Sequence, residues 1–459
     1  MSRIALFLVL ALASTARAER RLSLEEALDL ARHSNRDLTL ARARLEQTAV
    51  AIDQAWVPLL PTLSAQGKYT HNYKEVDFNA AQSGEGFVAF GTTIATALMS
   101  PAVQAAVDNY NKSLSSIPNV VIQPSEQLDA SVTATAPLIV PWGYDALTAA
   151  RKTQDSNAAG VRVTETTVLY STAQAFYAAA GADELVTARQ HSVDVARRTL
   201  SDAQARFETG VVNRVEVMRA ELALVRAEQA RIESEDVAAQ GYRLLATLTQ
   251  LHEPFRVAPA EIAPATGLSV EDLVARAEGR RPEYVQYRRA LDAADATGQS
   301  NKWRWLPSLS AFGNLRVFNY AGFSGDNYAW LVGAQLDWLA YDGGARDAGR
   351  RLALAQRREY ETRLDLLRDS IADDVANAAR SLITRTRALD TARRSVDLAR
   401  NTLELVRVQH EAGTATQLEL LQAQDAQVAA EVAVAQARFD LALGDLALRR
   451  AAGTFPDPR

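Results

Sequence analysis

The chain carries one pattern twice, at a separation no solenoid unit reaches. Leu60-Pro61-Thr62-Leu63-Ser64-Ala65 returns 246 residues later as Leu306-Pro307-Ser308-Leu309-Ser310-Ala311. The same offset carries Leu22-Ser23-Leu24-Glu25-Glu26 onto Leu268-Ser269-Val270-Glu271-Asp272. Ser192-Val193-Asp194-Val195-Ala196-Arg197 returns as Ser395-Val396-Asp397-Leu398-Ala399-Arg400 after only 203 residues, so the first copy holds an insertion between its matched blocks. Solenoid units run to roughly 50 residues. The pattern is instead one architecture duplicated, with a first structural repeat over 19–252 and a second over 253–459.

Residues 1–18 read as a signal peptide. Arg3 is the positive start, residues 4–13 the apolar core, and Ala16-Arg17-Ala18 a small-x-small cleavage site. The apolar run is shorter than the ~20 residues a spanning helix needs, so an exported chain is expected rather than an anchored one. There is no cysteine, which excludes disulfides and a cysteine-linked lipid. The net charge of -5 is nearly balanced over 459 residues, without a basic block, so nucleic acid is not an expected partner.

Residues 145–208 lack proline, as do 344–408. Each reads as one helix of ~95 Å. Val193, Ala196, Leu200, Ala203, Phe207 and Gly210 follow coiled-coil spacing, and Val396, Ala399, Leu403, Val406, His410 and Gly413 repeat it in register. Gly210 and Gly413 suit helix C-termini. Shorter helices are expected over 214–250 and 417–452, with seams at Met218, Leu222, Val225 and Ile232 and at Leu421, Val428, Val432, Ala435 and Phe439. Two more are expected over 23–57 and 269–303. Two helices of ~55 Å end to end match one long one. On that arithmetic 214–250 and 269–303 climb beside 145–208, and 417–452 and 23–57 beside 344–408.

After each Leu-Pro the period changes to two. Residues 128–138 put Leu128, Ala130, Val132, Ala134, Ala136 and Leu138 on one face, and 328–338 do so with Tyr328, Trp330, Val332, Ala334, Leu336 and Trp338. Residues 62–70 and 308–317 alternate more weakly. Strands of this length with one apolar face fit a transmembrane barrel, and Trp142, Trp303 and Trp305 join the aromatic residues near strand ends. Four strands cannot close a barrel, and lipid tolerates no open edge. Three chains would supply twelve strands over a continuous helical tube. The fold class expected is therefore mainly α with membrane β.

The two hairpin tips are the most specific motifs. The first reads Arg206-Phe207-Glu208-Thr209-Gly210-Val211-Val212-Asn213-Arg214-Val215-Glu216-Val217-Met218-Arg219-Ala220, and the second Gly413-Thr414-Ala415-Thr416-Gln417-Leu418-Glu419-Leu420-Leu421-Gln422-Ala423. With the duplication and the Leu-Pro-x-Leu lead into strands, they resemble the TolC-like outer-membrane efflux protein (outer membrane factor) family over about residues 22–453. The resemblance implies a homotrimer in outer-membrane lipid, with a twelve-stranded barrel on an α-helical periplasmic tunnel. It implies an exit duct for a tripartite efflux pump or type I secretion system. Energy would come from a proton-driven or ATP-driven inner-membrane transporter. The tips, at Arg206, Phe207, Gly210, Val211, Gly413 and Thr414, would meet a periplasmic adaptor protein.

By the same resemblance, acidic rings narrow the tunnel near the tips. Glu419 stands at the matched acidic position, the second acid is replaced by Gln422, and a basic residue often found nearby is Ala415. Two readings stand for Glu419: a carboxylate ring that attracts cations, or a first-turn glutamate set against the helix dipole. For Glu216 the second reading is preferred. His410 replaces Phe207 in the seam; it is a side chain able to change charge near neutrality or simply a half-exposed packing residue. The segment 71–127, far longer than usual for the family, is expected to be an extracellular cap with one short helix near 94–114.

No G-x-S-x-G, H-E-x-x-H or P-loop is present, so no enzyme is expected and no cofactor is implied. His33, His71, His191 and His252 lack ligand spacing, so no metal site is expected. Asp369, Asp373 and Asp374 read as a solvated helix face. The competing reading is an exported coiled-coil stalk or adhesin, which leaves the four strands unexplained. The cargo is not legible.

Overall fold

The computed structural model describes residues 20–117, 120–258, 269–321 and 325–456; the leader expected at 1–18 lies outside them. The first half runs β1 (Arg20–Leu22), α1 (Leu24–Ser34), α2 (Arg36–Trp56), β2 (Thr62–His71), β3 (Val76–Phe78), α3 (Ala80–Leu98), α4 (Pro101–Ser115), β4 (Val120–Gln123), β5 (Glu126–Ile139), α5 (Pro141–Glu208) and α6 (Arg214–Thr249). The second runs β6 (Phe255–Val257), α7 (Val270–Arg280), α8 (Pro282–Trp303), β7 (Ser308–Phe318), β8 (Tyr328–Asp337), α9 (Ala345–Glu411) and α10 (Gln417–Ala451). The order helix pair, strand, strand, long helix, helix thus occurs twice. No helix among the described residues is long and apolar enough to cross a membrane.

The two helices expected over 23–57 and 269–303 are each broken. Arg281 adopts an extended backbone (φ −65°, ψ 125°) before Pro282, as the proline ring demands of its predecessor. The matching break falls at Asn35, 246 residues earlier. There the side chain replaces the lost helix bonds: Oδ1 accepts the Asp37 N–H at 2.9 Å and Nδ2 donates to the Leu248 carbonyl at 3.0 Å.

By contacts the chain forms two compact units. One comprises the described parts of Met1–Ala51, Arg151–Asp295 and Leu354–Arg459 and is almost wholly helical. Its cores correct the expected partnering. Ala31 and Leu38 pack on Val168 and Leu169, and Arg32 Nε donates to Glu165 at 2.7 Å. The α1–α2 pair therefore lies on α5 of its own repeat. Ala277 packs with Ile371, Val375 and Ala451, and Arg281 pairs with Asp374 at 2.8 Å, so α7 lies on α9. The helix α8 reaches both long helices: Ser156 Oγ donates to the Gln286 carbonyl at 3.2 Å and Arg357 faces Asp295 at 3.4 Å. Leu22, Ala27, Ala175, Phe176 and Leu245 make the third cluster, where burying Phe176 or Leu245 is worth about 1.5–3 kcal/mol each.

The buried seam residues are smaller than expected. On α10 the buried residues include Ala423, Ala430, Ala437, Gly444 and Ala451, one every seven residues, the period of a left-handed coiled coil. A Cβ on Gly444 would meet Arg385 Cδ at 2.9 Å. The large residues expected to form the α6 seam point outward instead: Met218, Leu222, Val225 and Ile232 are exposed, while Ala220 and Ala238 are buried.

The other unit comprises Ile52–Ala150 and Ala296–Ala353. Its sheet has the order β2-β5-β7-β8, antiparallel throughout. Register aligns Gly67, Ala130 and Val317 with Tyr328, and Ala65, Val132 and Leu315 with Trp330. One face is consequently apolar across all four strands. The other carries Gln66, Lys68, Asp129, Ser131, Thr133, Asn314, Arg316 and Gln335, with Phe312, Phe318, Ala329 and Leu331 among its apolar members. Among the described residues, the outer edges of β2 and β8 are unpaired. Four strands do not exhaust the β structure: β1 pairs parallel with β6, and β3 with β4. The 71–127 segment holds two helices, not one.

Candidate functional site

The two tips are built alike, 203 residues apart. At the first, the Val211 N–H donates to the Arg206 carbonyl and the Gly210 N–H to the Phe207 carbonyl, both at 2.9 Å. At the second, the Thr414 N–H donates to the Gln409 carbonyl at 2.9 Å and the Gly413 N–H to the His410 carbonyl at 3.1 Å. These are Schellman closures, which need a left-handed residue at the glycine. Both glycines have φ +76°. A Cβ at either would meet nothing within 4 Å, so the constraint is conformational and not steric. Gly210→Ala and Gly413→Ala should each lower thermal stability through about 1 kcal/mol of left-handed strain, measurable by circular-dichroism melting. An unchanged melt would refute this reading of the turns.

Each tip then starts a new helix with a side-chain cap. Asn213 Oδ1 accepts the Glu216 N–H at 3.2 Å. Thr416 and Glu419 form a reciprocal box: the Glu419 N–H donates to Thr416 Oγ1 at 3.3 Å, and the Thr416 N–H to Glu419 Oε2 at 2.7 Å. The Thr416 backbone N–H, then its hydroxyl, hold the Glu419 carboxyl below its ordinary range. This stabilisation is complete above the unfolded glutamate range and is lost as pH falls through the lower folded value. Glu419 and Gln422 are exposed, while Glu216 is half-buried and has no reciprocal bond to its cap.

One contact was not foreseen. His410 Nε2 lies 2.9 Å from Arg206 Nη1, and His410 Nδ1 lies 3.1 Å from the Ala415 carbonyl. The guanidinium can only donate. The imidazole must therefore accept at Nε2, carrying its proton on Nδ1 toward Ala415. One neutral histidine thus joins α5 of the first tip to the turn of the second. Phe207 and Val211 stay exposed, at 44% and 72%. The signal in sequence was the exchange of an apolar seam residue for histidine, but its partner lies on another helix.

The family model for outer membrane efflux proteins matches residues 27–250 and 273–454. The chain belongs to the outer membrane efflux protein family. Outer membrane efflux protein BepC of Brucella suis biovar 1 (strain 1330) is 23% identical over 299 residues, 64% of this chain and 64% of BepC. The chain therefore spans less than two thirds of that curated relative's length. CusC, a protein that forms a transmembrane channel, superposes with TM-score 0.74 at 14% identity, over 94% of this chain and 91% of CusC. The outer membrane channel CmeC of Campylobacter jejuni gives 0.73 at 15%, over 94% of this chain and 85% of CmeC. Such identities establish the fold. Family membership sets aside the stalk and adhesin reading: the chain is an outer membrane efflux protein with a long periplasmic helical region, and CusC and CmeC, whose fold it shares, are described as channels.

Proposed function

We propose that three copies of this efflux channel protein join β2 to β8 edges into a twelve-stranded barrel over an α-helical periplasmic tunnel. The assembly is a passive exit duct fed by a proton-driven or ATP-driven inner-membrane transporter, in a tripartite efflux pump or a type I secretion system. The observation that carries this reading is the sheet, apolar on one face, polar on the other, and open at both edges. Lipid requires that geometry to close. The exposed stripe of Met218, Leu222, Val225 and Ile232 supports the trimer as well, since it offers a seam to a neighbouring copy.

The duct is gated at its periplasmic tips. Arg206, Phe207, Gly210, Val211, Gly413 and Thr414 make the adaptor-contacting surface, and Glu419, Gln422, Glu216 and His410 line the constriction. The repeats 19–252 and 253–459 act as paired halves of each protomer, and 71–127 faces the cell exterior. Protease added to intact cells should cut within 71–127; complete protection would refute that topology.

Conductance in planar bilayers, with native mass spectrometry of the detergent-extracted protein, tests the whole reading. Trimers with stable channels blocked by divalent or trivalent cations are expected. Block that survives Glu419→Ala would sink the acidic ring, and a water-soluble helical rod that never inserts would sink the duct.

A further inference from the structure

The insertion between β2 and β5 is a helical hairpin whose apolar face stays largely exposed among the described residues, with Phe87 touching its own hairpin, edge-on to Tyr110 at 5.0 Å between ring centroids. Gly84 and Gly91 let α3 approach α4 closely: a Cβ on them would meet Leu114 Cδ1 at 2.2 Å and Val107 Cγ2 at 2.7 Å. Ala95 and Val107 are buried in that contact. On the adjacent side of α3, Phe87, Phe90, Ile94 and Leu98 fall on one stripe at helical spacing. Phe87, Phe90 and Leu98 are 62%, 64% and 67% exposed. Past the stripe, Met99 is 91% exposed and holds a left-handed backbone, φ 43°, unusual for a non-glycine residue. Across its 19 residues α3 carries one charge, Glu85. Thr92, Thr93 and Thr96 each donate to a carbonyl of the preceding turn at 2.8 Å, so their hydroxyls ask little of water.

Lipid is a poor match for this face. Between it and the apolar band of the sheet stands a polar collar. His71 bonds Glu126 at 2.7 Å, the Asn72 N–H donates to the Ser125 carbonyl at 2.7 Å, and Lys74, Glu75 and Asp77 follow. Such a collar ends a lipid-facing band. The hairpin also continues from β2, an open edge strand, and so stands at the seam where a neighbouring copy would join.

We propose that the α3 stripe is covered by the hairpin of a neighbouring copy, so that the hairpins of the trimer form an interlocked helical collar above the barrel mouth. The inference rests on the trimeric barrel reading. The absence of cysteine makes a clean test possible. Phe90→Cys, and Thr93→Cys should the first disturb the contact, would carry a nitroxide spin label in vesicle-reconstituted protein. Expected are low accessibility to both oxygen and a water-soluble nickel chelate, and spin–spin broadening that disappears when labelled chains are diluted with unlabelled ones. High oxygen accessibility would assign the face to lipid, and high nickel accessibility to water; either overturns the proposal. Native mass spectrometry separates the two readings. Trimers whose labels stay apart would overturn the collar and leave the barrel standing. Labels that approach in an assembly other than a trimer would overturn the barrel and leave the hairpin contact standing.

Discussion

Val332→Arg should strip the protein from the outer membrane, while Leu331→Arg, one residue away, should leave assembly nearly intact. Val332 lies mid-strand in β8 on the apolar face, 76% exposed within the chain and paired with Gly313. Leu331 points to the opposite face, where its partner in register is Asn314. An arginine on the lipid face at the membrane midplane costs about 2–4 kcal/mol, and the proposed trimer would bear that cost three times. An arginine on the face proposed to line the lumen would keep its hydration and lose only local packing. The check is the yield of heat-sensitive trimer in isolated outer membranes, with urea unfolding midpoints in vesicles. Equal loss for both variants would mean that neither face is lipid-facing and that the two-faced sheet has another purpose.

How far the chain could be read in advance depended on whether a signal was local. Period-two alternation located β5 and β8 to within two residues at each end, and the absence of proline located α5 and α9. The breaks at Asn35 and Arg281 show a local signal passed over: Pro282 allows a helix to begin but forces its predecessor out of one, and the 246-residue offset would have carried that break onto Asn35. Partnering was a different matter. Length matching treats all climbing helices as equivalent. What sets α1 on α5 is specific chemistry, the Arg32–Glu165 bond, and the Asn35 bond to Leu248 ties the same helix end to α6; neither is visible to periodicity. The α6 stripe misled for a related reason. Large apolar residues at coiled-coil spacing mark a face to be buried without saying by which chain, while small residues such as Ala220 and Ala238 let the helices of one chain approach. At the tips, Gly210 and Gly413 were legible because helix-ending turns are local, while the Thr416–Glu419 capping box was passed over. The Arg206–His410 contact spans 204 residues of sequence and was not legible.

That contact supplies the second large effect. Arg206→Ala should raise single-channel conductance or open probability, and His410→Phe should do the same. The phenylalanine copies Phe207 of the first repeat, so it preserves packing while removing the ring nitrogen that accepts from the guanidinium. The bond is partly buried, and a net value of about 1 kcal/mol is reasonable. That is about a fivefold shift in the ratio of closed to open tips per chain, and on the order of a hundredfold if three tips move together. The double variant should open the channel no further than either single one, because both remove the same bond; such non-additivity is the signature of a direct contact. Arg206 also belongs to the proposed adaptor-contacting surface, so the measurement belongs in bilayers that hold the protein alone. Two additive effects would mean that each residue acts on the tip separately. Unchanged conductance in Arg206→Ala would mean that the two tips are held together elsewhere, leaving the seam alanines of α10 as the next place to cut.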